Sequence, residues 1–346
     1  MLFINVAIGK IFIFRPFYRN KMPEVDMLKV IEDFPDMIEN ASQLGTDVNL
    51  GKDFSSVMTT GMGASGIHGD FLKAAVSVKV PIVVNKDYEL PEFVSSKSLV
   101  FAITYSGKTE ETISAFKAAL RKNAPVVGIT SGLEFREMCR KNEKPCILVP
   151  SGIPPRAALA YLFFPILNVL YNGGMIKNPE EEIKATAHAL RNPVFKERAR
   201  ELAEKLVNKV PIIYATEKLA PVALRWRQQL NENSKVLAVS NVFPELDHNE
   251  LAGYAKLNSD HHAVIIRDEA DSMKMKERIR LTKELISERG IPTTEIVVKG
   301  DSTLTKLFTA VYIGDLASYF LAVNNGVDPV ETNVQEELKK RLSKIK

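Results

Sequence analysis

Two short segments of this 346-residue chain carry residues suited to gripping a phosphate. The first is GMGASG, Gly61 to Gly66, which follows a β-rich run and opens a helix-like one. The second is TYSGKTEET, Thr104 to Thr112, where Thr104, Ser106 and Thr109 group short hydroxyls around Gly107. The oxygens of a phosphate monoester are satisfied by backbone N–H groups at a helix start, the helix dipole and short hydroxyls, without a bulky cation. Ser and Thr also favour caps and turns with no ligand involved. Two hydroxyl-bearing loops after neighbouring strands favour phosphate over capping, because ligands bind at the carboxyl ends of parallel strands.

GMGASG also satisfies G-x-G-x-x-G, and Asp87 follows Gly66 by 21 residues, where a dinucleotide-binding fold places its ribose acid. On pattern alone a nicotinamide-dependent enzyme stays open. Arg156, in IPPRAA (Ile153 to Ala158), stands at the first turn of an apolar helix, where the dipole disfavours a cation. Held by a proline pair beside an anion site, it is placed to face developing negative charge. Glu232 lies in NENSK (Asn231 to Lys235), where a helix gives way to a strand. A carboxylate among amides suits a general base, and the same residues equally describe a solvated helix end. His248, in ELDHNEL (Glu245 to Leu251), reads by itself as an exposed residue at a helix start, and Lys339 and Lys340 as surface lysines. His68, His188, His261 and His262 show no metal-site spacing, and the C-x6-C spacing of Cys139 and Cys146 matches no common zinc pattern. No metal and no other cofactor is expected.

The scaffold that positions these groups is that of an ordinary globular protein. Apolar residues make up 45% and charged residues 25%, which excludes a disordered chain and a collagen-like repeat. Two cysteines give no disulfide framework, so reduced, buried thiols in the cytoplasm are expected. The net charge of +4 is local: Lys10, Arg15, Arg19 and Lys21 precede any acidic residue, which leaves the remainder of the chain neutral. Charge therefore argues for no nucleic-acid partner. Lys10 and Arg15 interrupt the apolar N-terminal run, so no membrane span is expected there. Residues 1–21 read as an appendage, with Met22 or Met27 opening the folded chain.

From residue 27 helix and strand patterns alternate. A helix is expected over Met27 to Leu44, then strands at Ser56–Thr60, Pro81–Val84, Ser98–Thr104, Pro125–Thr130 and Cys146–Val149. The apolar run Ala157 to Leu170 suits a buried helix, and the charged stretch from Pro179 to Lys209 an exposed interdomain helix. A second strand series follows at Pro211–Ala215, Lys235–Ser240, Ala263–Arg267 and Thr294–Val298, with final helices over Ser302 to Asn324 and Asn333 to Lys344. The economical account is an α/β protein of two similar doubly wound halves, each a parallel sheet flanked by helices, spanning 22–175 and 176–346.

GMGASG, TYSGKTEET, PPRAAL, NENSK, ELDHNE and the ending GVDPVETNVQEELK, in that order, resemble the bifunctional phosphoglucose/phosphomannose isomerases, which are built from two sugar isomerase (SIS) domains. The resemblance runs from about residue 27 to the end. It implies that the two halves are flavodoxin-like, and it implies interconversion of glucose 6-phosphate and mannose 6-phosphate with fructose 6-phosphate through a cis-enediol, without a metal, in a homodimer. It maps phosphate binding to Ala64, Ser65, Thr104, Ser106 and Thr109, enediolate stabilisation to Arg156, and the C1–C2 proton transfer to Glu232. It further maps ring opening to Lys339 and to His248, the latter donated by the neighbouring subunit, and acceptance of both C2 epimers to Thr332. Ala64, Thr104 and Lys108 depart from the family's usual glycine, serine and asparagine. Rival expectations are a non-catalytic sugar-phosphate regulator and an amino-sugar phosphate isomerase or deaminase on the same fold, since phosphate loops do not read the C2 substituent.

Overall fold

A computed structural model of the chain describes residues 25–51, 53–256 and 260–344. Residues 1–21, read above as an appendage, lie outside the described residues. The chain opens with α1 (Met27–Glu32) and α2 (Phe34–Ala41), then alternates β1 (Ser56–Thr60), α3 (His68–Ala75), β2 (Ile82–Asn85), β3 (Ser98–Ile103), α4 (Glu110–Arg121), β4 (Val126–Thr130), α5 (Leu133–Lys141), β5 (Cys146–Leu148) and α6 (Leu159–Asn172). After α7 (Glu180–Leu190) and α8 (Val194–Leu206) come β6 (Val210–Thr216), α9 (Ala220–Glu232), β7 (Val239–Phe243), β8 (His261–Asp268), α10 (Met273–Ser287), β9 (Thr293–Val298), α11 (Thr303–Asn324) and α12 (Asn333–Leu342).

The strands form two parallel sheets, ordered β2-β1-β3-β4-β5 and β7-β6-β8-β9. Strand order reverses between β1 and β3 in the first sheet and between β6 and β8 in the second, and at such points the loops after the strands part to leave a crevice. GMGASG leaves β1 and TYSGKTEET leaves β3, so both loops open at the first crevice.

Three expected elements differ. The helix expected over Met27 to Leu44 is two, because Pro35 has no N–H to bond the Ile31 carbonyl and starts a new helix instead. The charged stretch to Lys209 is also two helices, parted at Asn192-Pro193, and it is not simply exposed. Ile183, Ala187 and Leu190 on α7, and Ala199, Leu202 and Leu206 on α8, are buried, and both helices pack on α11. The strand expected at Lys235–Ser240 begins at Val239. Lys235 turns left-handed (φ 56°), and the next residues close the end of α9: Val236 N–H bonds to Leu230 O and Ala238 N–H to Asn231 Oδ1.

The long helix α11 joins the halves. By length and composition it could cross a membrane, yet 83% of its apolar window is buried within the protein. Phe308 on α11 meets Phe34, Phe71, Phe163 and Phe164, from α2, α3 and α6, at ring separations of 4.8 to 6.1 Å. Such apolar burial is worth about 25 cal/mol per Å², so this aromatic seam holds the two sheets as one core. Gly314 lets α11 approach α9 closely, since a Cβ there would fall 2.1 Å from Trp226 Nε1.

Candidate active site

The loop after β1 is closed by two glycines, each packed against backbone from the other end of the loop. A Cβ on Gly61 would fall 2.3 Å from the Ser65 carbonyl oxygen, and one on Gly66 2.5 Å from that of Gly61. The left-handed conformation in this loop falls on Gly63 (φ 51°), so the alanine at 64 needs no strained backbone. Ser65 is buried, and its Oγ accepts from Tyr105 N–H at 3.2 Å, which couples this loop to the one after β3. Below it, fully buried His68 lies with Nδ1 3.1 Å from the Ser65 carbonyl; burial pushes its pKa down to about 3, so it is neutral and donates.

In the second loop, Thr104 Oγ1 accepts from Gly107 N–H (3.1 Å) and donates to Thr109 Oγ1 (3.0 Å), while Thr130 Oγ1 holds the Thr104 carbonyl (2.6 Å). Thr109 is the N-cap of α4 but makes no side-chain cap bond. Its hydroxyl proton and that of Ser65 are therefore uncommitted among the described hydrogen bonds, whereas the Thr104 proton is held on Thr109. Ser106 is exposed, with Oγ accepting from Lys108 N–H at 3.3 Å. Lys108 itself turns to Glu134 on the surface (3.1 Å). The structure thus brings Ser65, Thr104 and Thr109 together, and it makes Thr104 a relay to Thr109.

Arg156 sits in a single 3-10 turn, Pro155–Ala157, just before α6, and is 3% exposed. Its Nε donates to Asn233 Oδ1 (2.6 Å) and its Nη2 to the Pro329 and Val330 carbonyls, leaving Nη1 3.9 Å from Glu232 Oε2. Burial lowers the Arg156 pKa, an effect that Glu232 and Asp328 oppose. Glu232 is the last residue of α9. Lys235 Nζ donates to the Glu232 carbonyl (2.7 Å) and to that of Asp328 (2.8 Å), so Arg156 and Lys235 clamp the same C-terminal segment.

The remaining expected residues are His248, Thr332 and Lys339, of which Thr332 comes two residues after Val330, whose carbonyl holds Arg156. His248 is exposed at the end of the turn Glu245–His248. Its loop is pinned on either side: Asp247 takes Arg278 and Thr282 (both 2.9 Å), and Glu250 takes the Tyr214 hydroxyl (2.7 Å) and Asn241 (2.6 Å). Thr332 is the N-cap of α12 and donates to Glu336 (3.1 Å). Lys339 is exposed on α12, a helix with no buried residue. Among the described residues neither His248 nor Lys339 makes a hydrogen bond or ion pair with Glu232 or Arg156. Cavities of about 350 and 620 Å³ lie elsewhere, the first at Leu28, Arg200 and Phe320 and the second at Lys73, Lys218 and Thr303.

Sequence reasoning missed Asn233, Arg225, Asp315 and Ser318, which stand behind Arg156. One signal was present: a carboxylate at Asp315 inside an apolar run has to be paired or it does not stay buried as a charge. Among the described residues no group of three or more His, Cys, Asp or Glu is arranged to hold a metal ion.

Residues 53–141 match the SIS domain and residues 195–342 the bacterial phospho-glucose isomerase C-terminal SIS domain. A bifunctional phosphoglucose/phosphomannose isomerase of Caldicellulosiruptor bescii is 36% identical over 341 residues, covering 92% of this chain and 100% of that protein. One of Aquifex aeolicus is 32% identical over 325 residues, covering 92% of this chain and 99% of its own. The fold is similar to the crystal structure of a hypothetical protein from Thermus thermophilus, with a TM-score of 0.72 at 14% identity over 94% of this chain and 92% of that one. With its loops, its Arg156–Glu232 pair and these relatives taken together, the chain belongs to the bifunctional phosphoglucose/phosphomannose isomerases.

Proposed function

We propose that the protein interconverts glucose 6-phosphate and mannose 6-phosphate with fructose 6-phosphate. The observation that carries this reading is the buried Arg156 with one guanidinium nitrogen left facing the Glu232 carboxylate. Moving a proton between C2 and C1 of an open-chain sugar phosphate needs a base and a group that meets the negative charge on the enediolate oxygens. Glu232 is the base, and Arg156 Nη1 is a donor fixed before the charge develops, which is where such a donor is most effective. Ser65 and Thr109 offer their free hydroxyl protons to the 6-phosphate, with Ser106 at the rim, Ala64 supplying backbone and Thr104 orienting Thr109. One base reaches the C2 proton of either epimer after rotation about the C2–C3 bond, and Thr332 takes part in admitting both.

Ring opening falls to His248 and Lys339. That neither makes a hydrogen bond or ion pair with Glu232 or Arg156 among the described residues supports a site completed by a second copy, with His248 donated across a homodimer interface on its pinned loop. The chemistry asks for acid, base and a fixed cation, all of which side chains supply, so the reading includes no metal. A coupled assay for fructose 6-phosphate, started from either aldose after EDTA treatment, tests it. Turnover of both is expected. No turnover of mannose 6-phosphate confines the protein to the glucose epimer, and turnover of neither overturns the reading in favour of a sugar-phosphate regulator or an amino-sugar substrate.

A further inference from the structure

Behind Arg156 lies a closed ring of buried hydrogen bonds. Arg156 Nε donates to Asn233 Oδ1 (2.6 Å), Asn233 Nδ2 to Ser318 Oγ (2.9 Å), and Ser318 Oγ to the Asp315 carbonyl (2.7 Å). The Asp315 carboxylate takes the fork of Arg225 (3.0 and 2.5 Å), and Arg225 Nη2 closes the ring on the Arg156 carbonyl at 2.9 Å. Every member, Arg156, Arg225, Asn233, Asp315 and Ser318, is at most 4% exposed.

The direction of each bond is determined by what its atoms can do. Ser318 has one hydroxyl proton, and a carbonyl can only accept it, so Ser318 must accept from residue 233. That requirement turns the Asn233 NH2 toward Ser318 and its oxygen toward Arg156. An aspartate at 233 could serve the arginine but not the serine. The Arg225–Asp315 pair is weak grounds for stability by itself, because desolvation offsets much of the attraction between two buried charges. Its third contact, on the Arg156 carbonyl, gives it a further role.

We propose that Asn233 and Ser318, backed by the Asp315–Arg225 pair, are positioning residues that set the plane of the Arg156 guanidinium. With Nε held by Asn233 and Nη2 by the Pro329 and Val330 carbonyls, Nη1 is left facing Glu232 and needs no reorganisation when charge appears on the substrate. The proposal rests on the isomerase reading and adds to it the buried groups that aim the arginine.

The test is Asn233→Asp in the full chain, with folding checked by thermal unfolding. Because misplacing a reacting group by about 1 Å can cost on the order of 100-fold, kcat is expected to fall about 10- to 100-fold while KM changes little. The acid limb of the kcat profile moves to higher pH, because a carboxylate on Nε offsets the guanidinium's field and adds like charge beside Glu232. Wild-type kcat in the folded variant overturns the proposal, and so does a loss of kcat with the limb unmoved, which marks a merely structural role. If Asn233→Asp does not fold, Ser318→Ala takes its place: a fall in kcat of about tenfold at unchanged KM is expected, and wild-type kcat overturns the proposal. Wild-type protein inactive on both aldoses defeats the isomerase reading itself, whereas active wild type with unaffected variants defeats only the positioning roles.

Discussion

Arg156 Nη1 stands 3.9 Å from Glu232 Oε2, and the arginine side chain is 3% exposed against 30% for the glutamate. That separation exceeds the 2.7–3.2 Å of a normal N–H···O bond, so the carboxylate is within the cation's field but is not tied up by it. A base that must take and return a proton needs this freedom. Replacing Glu232 with Gln keeps the shape and removes the base. Isomerisation is expected to fall about 10²- to 10⁴-fold with the thermal midpoint unchanged. A coupled assay on both aldoses checks it, and activity within a few-fold of wild type removes Glu232 from the mechanism.

The phosphate loops make a different prediction, in KM. Thr104 Oγ1 accepts from the buried Gly107 N–H and donates to Thr109, so Thr104→Val leaves that N–H only the Thr104 carbonyl (3.2 Å) and leaves Thr109 unoriented. A lost hydrogen bond to a charged group is worth about 1.5–3 kcal/mol, so KM for the sugar phosphates is expected to rise about tenfold or more while kcat changes little. Thr104→Ser keeps the hydroxyl and should restore KM. Inhibition by inorganic phosphate, measured on both variants, separates loss of the phosphate grip from general damage: only Thr104→Val should weaken it.

Much of this site was legible because its chemistry is local. GMGASG and TYSGKTEET each follow a short β-rich run, and β1 spans Ser56–Thr60 as that run implies. The strand after NENSK was harder. Val236 and Ala238 are as β-prone or apolar as the strand itself, and only the left-handed turn at Lys235 directs them back onto α9. Asn233 and Ser318 are 85 residues apart in sequence and make sense only once α9 and α11 touch at Gly314. Nothing in a single chain's pattern pairs them. Likewise the charged faces of α7 and α8 concealed the narrow apolar stripes that bind α11, because the charges outnumber the stripe in a linear reading.

Lys108 is expected to matter little, although it lies within TYSGKTEET. Its ammonium pairs with Glu134 at 3.1 Å, and both side chains are about two-thirds exposed. Exposed pairs of this kind contribute about 0–1 kcal/mol, so Lys108→Asn should leave stability within roughly 0.5 kcal/mol and KM within about twofold. A larger rise in KM would place the ammonium on the phosphate in the bound state, which titration of KM against ionic strength would then reveal.

His68 ties the stability of the phosphate loop to pH. It is fully buried, and burial pushes its pKa from 6.5 to about 3, against the opposing effect of its bond to Ser65 and with a smaller push from Arg225. The folded protein therefore keeps the ring neutral at acidities where an unfolded chain protonates it. Below pH 6.5 the unfolded state binds the extra proton, so stability is present above that pH and is lost as pH falls toward 3. The slope is about 1.4 kcal/mol per pH unit across that window, on the order of 5 kcal/mol in all. His68→Asn offers an amide N–H to the Ser65 carbonyl but has no titrating ring. Its stability at neutral pH should be lower, from lost packing, while its acid slope should be flatter than wild type by about one proton. Denaturant unfolding at a series of pH values measures both, and parallel slopes for the two proteins would show that another group sets the acid sensitivity.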